Sequence, residues 1–551
     1  MHDVIVIGGG GAGVMAAAAA AKEGARVAIV CKEPVGYGNT RMAVGLTACA
    51  GLTGDSRENF IENMVQSGEG LSRRELVETL VDGSREALSL LEELGHTFTR
   101  NQKGELADHV ISRSGGHSHA RTLQSSGAGI GIGQVLRSAV AKYGITLLED
   151  TLALELVKQD DIVCGVRLLD LATSEEYTLD TQAVVLATGG AGWLFYPQTS
   201  NNRGSTGDGY VLACHAGAEL MDMEQVQALP FGITHPQAYR GLVCGEPVVA
   251  GPAGKIVDGD GSNVLDGGIF KMGRAAVVRA MAEPIKAGRV TKHGGLLLDL
   301  SPNLAGPDGT VFRDRVRSSG ITDTVLTAYG RKAFDWEEPW DVLPTVHFMM
   351  GGVIADRDGD TTVPGLYVAG EVMGGVHGGN RLGSTALTEI LVYGLRAGRA
   401  AALSAKKKPA RTTVSTKRES SRKVGSKGKN RPAHLSRRLQ EIMWKQAGFV
   451  KNRRELLSAI DTVSALQKEA EDLNVCNETV YNLELLDAVE LHVMLETAKL
   501  ILTSALLREE SRGAHLREDF PKDGGFPWQK NIIIRRSANG QLQHRIAGWK
   551  S

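Results

Sequence analysis

The sequence predicts an α/β protein, in which a parallel sheet flanked by helices is interrupted by one long insertion and followed by a helical C-terminal region. Three observations support this. Residues 3–33 read strand, glycine turn, helix, strand. The same rhythm returns at Gly365–Glu371 and the long apolar helix Thr385–Ala401, and between about 220 and 340 it is lost.

The first unit is the most explicit. Val4–Ile7 is an apolar, β-branched run suited to a strand buried on both faces. It enters Gly8-Gly9-Gly10-Gly11-Ala12-Gly13, which meets G-x-G-x-x-G at Gly8, Gly10 and Gly13, and Val14–Lys22 follows as strong helix-forming sequence. Arg26–Val30 is the second strand. Glycines at these positions let the backbone turn tightly and approach a pyrophosphate, which rests on the N–H groups and positive end of the helix. The unit is therefore Rossmann-like, and a dinucleotide is its expected ligand.

Further along, Gly36–Gly45 is too glycine-rich for a regular element. Glu58–Ser67 and Arg73–Leu94 have helical periodicity, with Leu80, Ala87, Leu88 and Leu91 on one face. The loop Ser114–Thr122 carries His117 and His119. Thr146–Leu148, Ala153–Val157 and Val163–Asp170 read as strands of a small antiparallel sheet. Ala183–Leu186 is a buried strand ending in a glycine turn, and Ser205–Gly209 opens a helix over Tyr210–Gly217. The expected division is 1–220 with 342–403 as the dinucleotide-binding domain, 221–341 as the insertion, 404–434 as a basic linker and 435–551 as a C-terminal helical domain. Lys406–Arg438 holds thirteen Lys/Arg against one Glu, the composition of a solvated linker. A basic docking arm for an acidic partner or membrane surface is the alternative.

Composition narrows the functions. With 551 residues, 42% hydrophobic, 23% charged and a net charge of −1, the chain is globular and has no global field favouring nucleic acid. Its six cysteines are scattered without C-x-x-C spacing, so neither an iron–sulfur cluster nor a structural zinc site is expected in this chain, and no metal ligands are assigned. A reducing, cytoplasmic setting is expected, with no signal peptide and no membrane-spanning run.

Several segments together resemble one family, the flavoprotein subunits of fumarate reductase and succinate dehydrogenase, with L-aspartate oxidase close by. They are Gly8–Gly13, Gly38-Asn39-Thr40, Thr188-Gly189-Gly190, Thr206–Gly209, His347–Gly352, Gly365–Glu371, His377–Gly383 and Glu510–Pro521. The resemblance implies FAD, a Rossmann-like FAD domain, an inserted α+β capping domain and a helical C-terminal domain. It implies cofactor contacts from Gly8, Gly10, Gly13, Lys32, Asn39, Thr40, Gly45, Asp208, Glu371, Arg381, Ala386 and Leu387. Membrane-bound members attach FAD through a histidine after the second strand. Here that position is Asn39, with no histidine from Lys32 to Ala50, so the resemblance implies non-covalent FAD.

The family reaction exchanges a hydride between flavin N5 and one carbon of a C–C bond, with a proton at its neighbour. The resemblance assigns Arg274 to proton transfer, and His347 and Arg381 to a substrate carboxylate. Arg381 suits this by its planar fork. Two family features are replaced. Leu229 stands where a His-Pro-Thr-Gly stretch supplies a second carboxylate ligand. Cys244-Gly245 and Val248–Gly251 stand where Thr-Glu and Arg-Gly-Glu-Gly occur, with Glu246 and His235 nearby as substitutes. An unpaired buried carboxylate costs several kcal/mol. The expected substrate therefore has one carboxylate, or a similar polar group, and a bulkier, less charged remainder. L-aspartate oxidase is one alternative. A second is an electron-carrying flavin subunit with a weak or lost substrate site. An iron–sulfur electron-transfer subunit is the expected partner, with peripheral membrane association through it.

Overall fold

The computed structural model describes the chain except residues 1, 51, 53, 101–102, 105, 107–115, 408–417, 422–423, 538 and 549–551. Ser114 and Gly115, and part of the basic stretch 406–438, lie outside the described residues.

At the centre is a five-stranded parallel sheet in the order Leu366–Val368, Ala183–Leu186, Val4–Ile7, Val27–Val30, Thr146–Leu148. Its inner strands are buried on both faces, which explains their unbroken apolar sequence. Local pattern places Thr146–Leu148 in the antiparallel sheet. Instead it is the parallel edge strand, in register with Ala28–Val30. The antiparallel sheet comprises Thr151–Gln159, Ile162–Asp170 and Glu175–Asp180, and Glu419–Ser420 extends it.

Two helices remote in sequence lie together over the parallel sheet: Gly11–Lys22 and Thr385–Lys406. Small residues make the contact. A Cβ on Gly394 would stand 2.7 Å from the Ala12 carbonyl oxygen, and one on Gly398 would stand 2.0 Å from that of Ala16. The first helix is mostly alanine because it is buried nearly all round, which leaves no room for larger side chains.

The insertion has its own six-stranded antiparallel sheet, in the order Val243–Gly245, Val226–Ile233, Trp340–Met349, Leu296–Asp299, Lys255–Val257, Asn263–Asp266. Its core includes Phe231, Ile256, Val277, Met281, Leu298, Trp336 and Trp340. The helix Arg274–Lys286 packs on Val226–Ile233. The expected boundary at 341/342 cuts through the ten-residue strand Trp340–Met349. That strand begins in the cap core and ends against the parallel-sheet core at Val346 and Met349.

The C-terminal region is not wholly helical. Helices Pro432–Ala447, Arg453–Glu469 and Leu483–Leu507 are followed by a hairpin, Asn531–Arg536 with Leu542–Ala547, which pairs with Leu220–Met221. Parts of the basic stretch are also structured. Its first residue ends the helix Thr385–Lys406, and its last turns belong to the helix that starts at Pro432. Arg418 is paired with Asp170 and Glu175. The short segment after Gly38, expected to be irregular, forms a one-turn helix, Asn39–Met42.

The dense polar segment near residue 510 is a buried charge network. Arg508 meets Glu224 at 2.5 Å, Glu510 at 3.0 Å and Asp222 at 3.1 Å, and Arg512 meets Glu510 at 2.8 Å. The Gly513 and Ala514 amides donate to the Glu69 carboxylate and the Gly379 carbonyl. The C-terminal region thus braces the loop that leads into Arg381.

The glycine contact between the two helices gives a direct test. Alanine raises helix propensity by about 1 kcal/mol over glycine. At Gly398, however, the new methyl meets a backbone oxygen that cannot rotate away, and overpacking costs about 1–3 kcal/mol. Gly398→Ala should lower the melting temperature. Gly24→Ala, where the left-handed φ of +80° supplies strain without a steric neighbour, is the comparison. If Gly398→Ala stabilises the protein, the close packing is not limiting.

Candidate functional site

One cavity of about 400 Å³ runs from the first glycine turn to the cap. Nearly every residue singled out in the sequence lines it: Gly8, Gly10, Lys32, Asn39, Thr40, Gly45, Asp208, Arg274, His347, Glu371, Arg381, Ala386 and Leu387. Gly13 does not. A Cβ there would stand 1.9 Å from the Gly8 carbonyl oxygen, so Gly13 permits close packing of helix on strand rather than ligand approach.

The glycine turn fits a dinucleotide. Gly8 has φ +116°, and a Cβ on it would strike the Ala187 carbonyl oxygen at 2.2 Å. A Cβ on Gly10 would meet only Thr40 Oγ1, at 3.8 Å, and would otherwise fill the cradle. The helix Gly11–Lys22 begins without a side-chain cap or an acidic residue in its first turn, leaving its positive end to the cavity. Thr40 Oγ1 accepts the Gly11 N–H at 3.1 Å. The second helix, Thr385–Lys406, brings Ala386 and Leu387 of its first turn to the same cavity.

Polar groups around this end are tightly arranged. Lys32 Nζ donates to Thr206 Oγ1 at 2.7 Å, Glu490 Oε1 at 2.7 Å and Asp208 Oδ2 at 3.0 Å. Burial opposes its charge, but Asp208 and Glu490 outweigh it and hold the Lys32 pKa above its ordinary value. Asp208 Oδ1 is buried with no hydrogen-bond partner, which leaves an acceptor for a ligand. Glu490 comes from the C-terminal helix Leu483–Leu507, and nothing in the local sequence marks it. Asn39 engages the neighbouring loop, donating to Asn201 Oδ1 and Ser205 Oγ and accepting from the Asn202 amide. Glu371 accepts the Met349 N–H at 2.9 Å, and burial raises its pKa to about 7.

Arg274, His347 and Arg381 converge toward the cap. Arg274 is the first residue of its helix and lies on the buried stripe with Val277, Val278 and Met281, the i, i+3, i+4, i+7 face. Glu246 holds it with both carboxylate oxygens, Oε2 accepting from Nε at 2.7 Å and Oε1 from Nη2. Burial alone raises the Glu246 pKa, but Arg274 reverses this and keeps it below the usual carboxylate value. Glu246, one position beyond the Gly245 that stands at the expected carboxylate place, is thus the acid paired with Arg274. Arg274 Nη1 also donates to Gln227 Oε1 at 3.2 Å and the Arg381 carbonyl at 3.3 Å. Gln227 Nε2 in turn donates to Asn380 Oδ1 and the Arg381 carbonyl. No motif marks Gln227; its place inside a fully buried strand is the signal.

Arg381 is buried, stacks 4.7 Å over the Phe348 ring and donates Nη1 to the Leu382 carbonyl. Among the described residues no carboxylate pairs with it, and Nε has no partner. Burial, then Arg274, pushes its pKa down to about 9, which still leaves it cationic at neutral pH. His347 Nδ1 is 2.8 Å from Ser200 Oγ. Burial, then Arg381 and Arg274, lowers its pKa well below 6.5, so the ring is neutral. The arrangement has a net attraction for an anion.

The other lining near these groups is apolar: Leu229, Leu242, Val243 and Ile321, with Thr324. His235 does not replace the missing histidine; it stacks on His293 outside the cavity lining. His117 is buried behind the lining, bonded to the Gly383 carbonyl and Arg121 and close enough to Arg274 and Glu246 to feel their charges, and His119 is held by Ser118.

Comparison with known proteins agrees with this geometry. Residues 3–387 match the family model described as FAD binding domain, and 436–547 match that described as fumarate reductase flavoprotein C-term. One component of the fumarate reductase (CoM/CoB) of Methanothermobacter marburgensis is 35% identical over 497 residues, covering 89% of this chain and 88% of the relative. L-aspartate oxidase of Streptomyces coelicolor is 33% identical over 557 residues, covering 98% of this chain and 92% of the relative. A solved variant of the quinol fumarate reductase of E. coli superposes with a TM-score of 0.87 at 25% identity, covering 100% of this chain and 97% of that one. The glycine cradle, the two helix N-termini and these matches make the chain an FAD-dependent oxidoreductase, and it belongs to the flavoprotein-subunit family of fumarate reductase and succinate dehydrogenase, with L-aspartate oxidases among its relatives.

Proposed function

We propose that this enzyme exchanges a hydride with a C–C bond beside the single carboxylate of a substrate whose remainder is apolar. The observation that carries this is Arg381: a buried guanidinium without an anionic partner among the described residues, in a cavity whose cap side is lined by Leu229, Leu242, Val243 and Ile321, with Thr324.

FAD, when bound, supplies the two-electron, hydride-exchanging ring. The residues of this chain do the rest. Arg381 pairs with the substrate carboxylate, and His347, fixed by Ser200, donates or accepts a hydrogen bond beside it. This fixes the C–C bond and draws electron density toward the carboxylate. In the reducing direction Arg274 gives a proton to the carbon next to the one receiving hydride, and Glu246, bonded to Nε and Nη2 of the same guanidinium, orients it and stands where a proton returns to it afterwards. The opposite direction uses the same groups in reverse. Leu229 removes the second carboxylate ligand, which disfavours fumarate, succinate and aspartate alike.

Asn39 in place of an attaching histidine supports non-covalent FAD, held by Gly8, Gly10, Thr40, Gly45, Lys32, Asp208, Glu371, Ala386 and Leu387, with Gly13 behind them. We further infer that electrons arrive through an iron–sulfur subunit, in keeping with scattered cysteines in this chain. Among the described residues no helix is long and apolar enough to cross a membrane; we infer that peripheral membrane association runs through that partner, on the cytoplasmic side.

Acid precipitation of the holoenzyme should release all the flavin to the supernatant; yellow pellets would mean a covalent link. Anaerobically reduced enzyme should be reoxidised faster by an unsaturated monocarboxylate with an apolar tail than by fumarate, with Leu229→His shifting the preference toward the dicarboxylate. The reverse order in the wild type would sink the single-carboxylate reading. Arg274→Ala should lower kcat on the order of 10²–10⁴-fold with FAD retained, whereas Arg381→Ala should act first on KM. Equal effects of both variants on both parameters would contradict the division of roles.

A further inference from the structure

We propose that the cap carries a divalent transition-metal site formed by His235, His293 and Asp341. None of the three lines the flavin cavity, and they come from three separate segments of the chain. His235 follows the strand Val226–Ile233, His293 precedes Leu296–Asp299, and Asp341 is the second residue of Trp340–Met349. These strands are neighbours in the sheet, with both Ile233 and Leu296 opposite Val342. The register therefore brings the three side chains to one end of the cap.

One ligand atom from each residue lies within 4.8 Å of those from the other two. The imidazoles stack with centroids 3.7 Å apart. Ligands on one zinc ion, with bonds of about 2.0–2.1 Å, sit roughly 3.4 Å apart at the tetrahedral angle. The donors thus need only small side-chain rotations to share an ion, with the two rings fanning apart.

The second observation is Asp341. It is buried; Oδ2 accepts the Thr291 hydroxyl at 2.6 Å, while Oδ1 is buried with no hydrogen-bond partner. A buried acceptor left unsatisfied is costly, and a cation satisfies it. His235 Nδ1 is 3.0 Å from Thr234 Oγ1, which orients the ring and leaves Nε2 as its ligand atom. Such hydrogen bonds behind metal ligands fix ring direction. Two imidazole nitrogens and one carboxylate oxygen suit zinc-class ions over magnesium or calcium, which prefer oxygen throughout. His235 and His293 are half-buried, so coordination positions remain open to water. The neighbouring Lys292 ammonium opposes the cation and weakens the site. Occupancy would tie three cap strands together at the end of Trp340–Met349 opposite His347. Cysteine spacing gives no hint of it, because the ligands are histidine and aspartate drawn from positions 235, 293 and 341.

The test uses untagged, flavin-loaded enzyme stripped with a chelator and then titrated with Zn²⁺ by calorimetry, with metal content measured after dialysis. Wild type should take up one equivalent per chain. His293→Ala and Asp341→Asn should each weaken binding by at least about tenfold. His293 is half-buried, so its truncation should leave the flavin spectrum and the metal-free melting temperature unchanged. Absence of saturable micromolar binding by wild type overturns the site, as does wild-type affinity and stoichiometry in His293→Ala.

Discussion

The fold depends on the close approach of two helices that lie far apart in sequence, Gly11–Lys22 and Thr385–Lys406. Their contact is made by alanine and glycine, with the Ala12 and Ala16 carbonyls filling the space that side chains would take on Gly394 and Gly398. Hydrophobic volume is given up for proximity. The gain is geometric: two helix N-termini open onto the same cavity, and the loop before the second one delivers Arg381. Everything inserted between them, including the whole cap, is compatible with the fold only if it returns the chain to this contact.

Charge in the cavity is distributed unevenly. Arg274 is neutralised by Glu246, and Lys32 by Asp208 and Glu490, but Arg381 is left without a carboxylate among the described residues. A buried pair contributes little net stability, whereas a buried single charge is unfavourable until it meets its counter-ion. The energy withheld from the fold is therefore available to the ligand. Gln227 links the two arginines through hydrogen bonds to Arg274, Asn380 and the Arg381 carbonyl, so the cap and the flavin domain share one polar network.

Local pattern reveals much of this, and long-range pairing explains the rest. The first βαβ unit, the main helices and the cavity-lining residues are legible because periodicity and motif spacing are properties of contiguous sequence. Thr146–Leu148 is misplaced by pattern because three residues carry no signal of which strand they will join. The hairpin after Asn531 escapes notice for a related reason: its first strand is completed by Leu220–Met221, remote in sequence. Glu246 shows a different limit. It sits one position away from the expected carboxylate, yet a side chain and a turn readily absorb that offset. Glu490 reaches Lys32 from a helix whose own sequence says only that it is buried. The roles proposed for Arg274, His347 and Arg381 come from the family resemblance, and what the structure adds is their place on one cavity.

The strand Trp340–Met349 has a consequence for recombining such enzymes. One end is packed among the cap tryptophans, and the other carries His347 and reaches the flavin-domain core. A cap is therefore not a cassette with clean ends. Any chimera that grafts a different cap onto this scaffold inherits a choice within a single continuous ladder of hydrogen bonds. A junction placed inside it would shift side chains from one face to the other if the register slipped by one residue. The seam belongs in the loops before Trp340 and after Met349, and the donor's whole strand, with its own histidine, has to travel with the donor's cap.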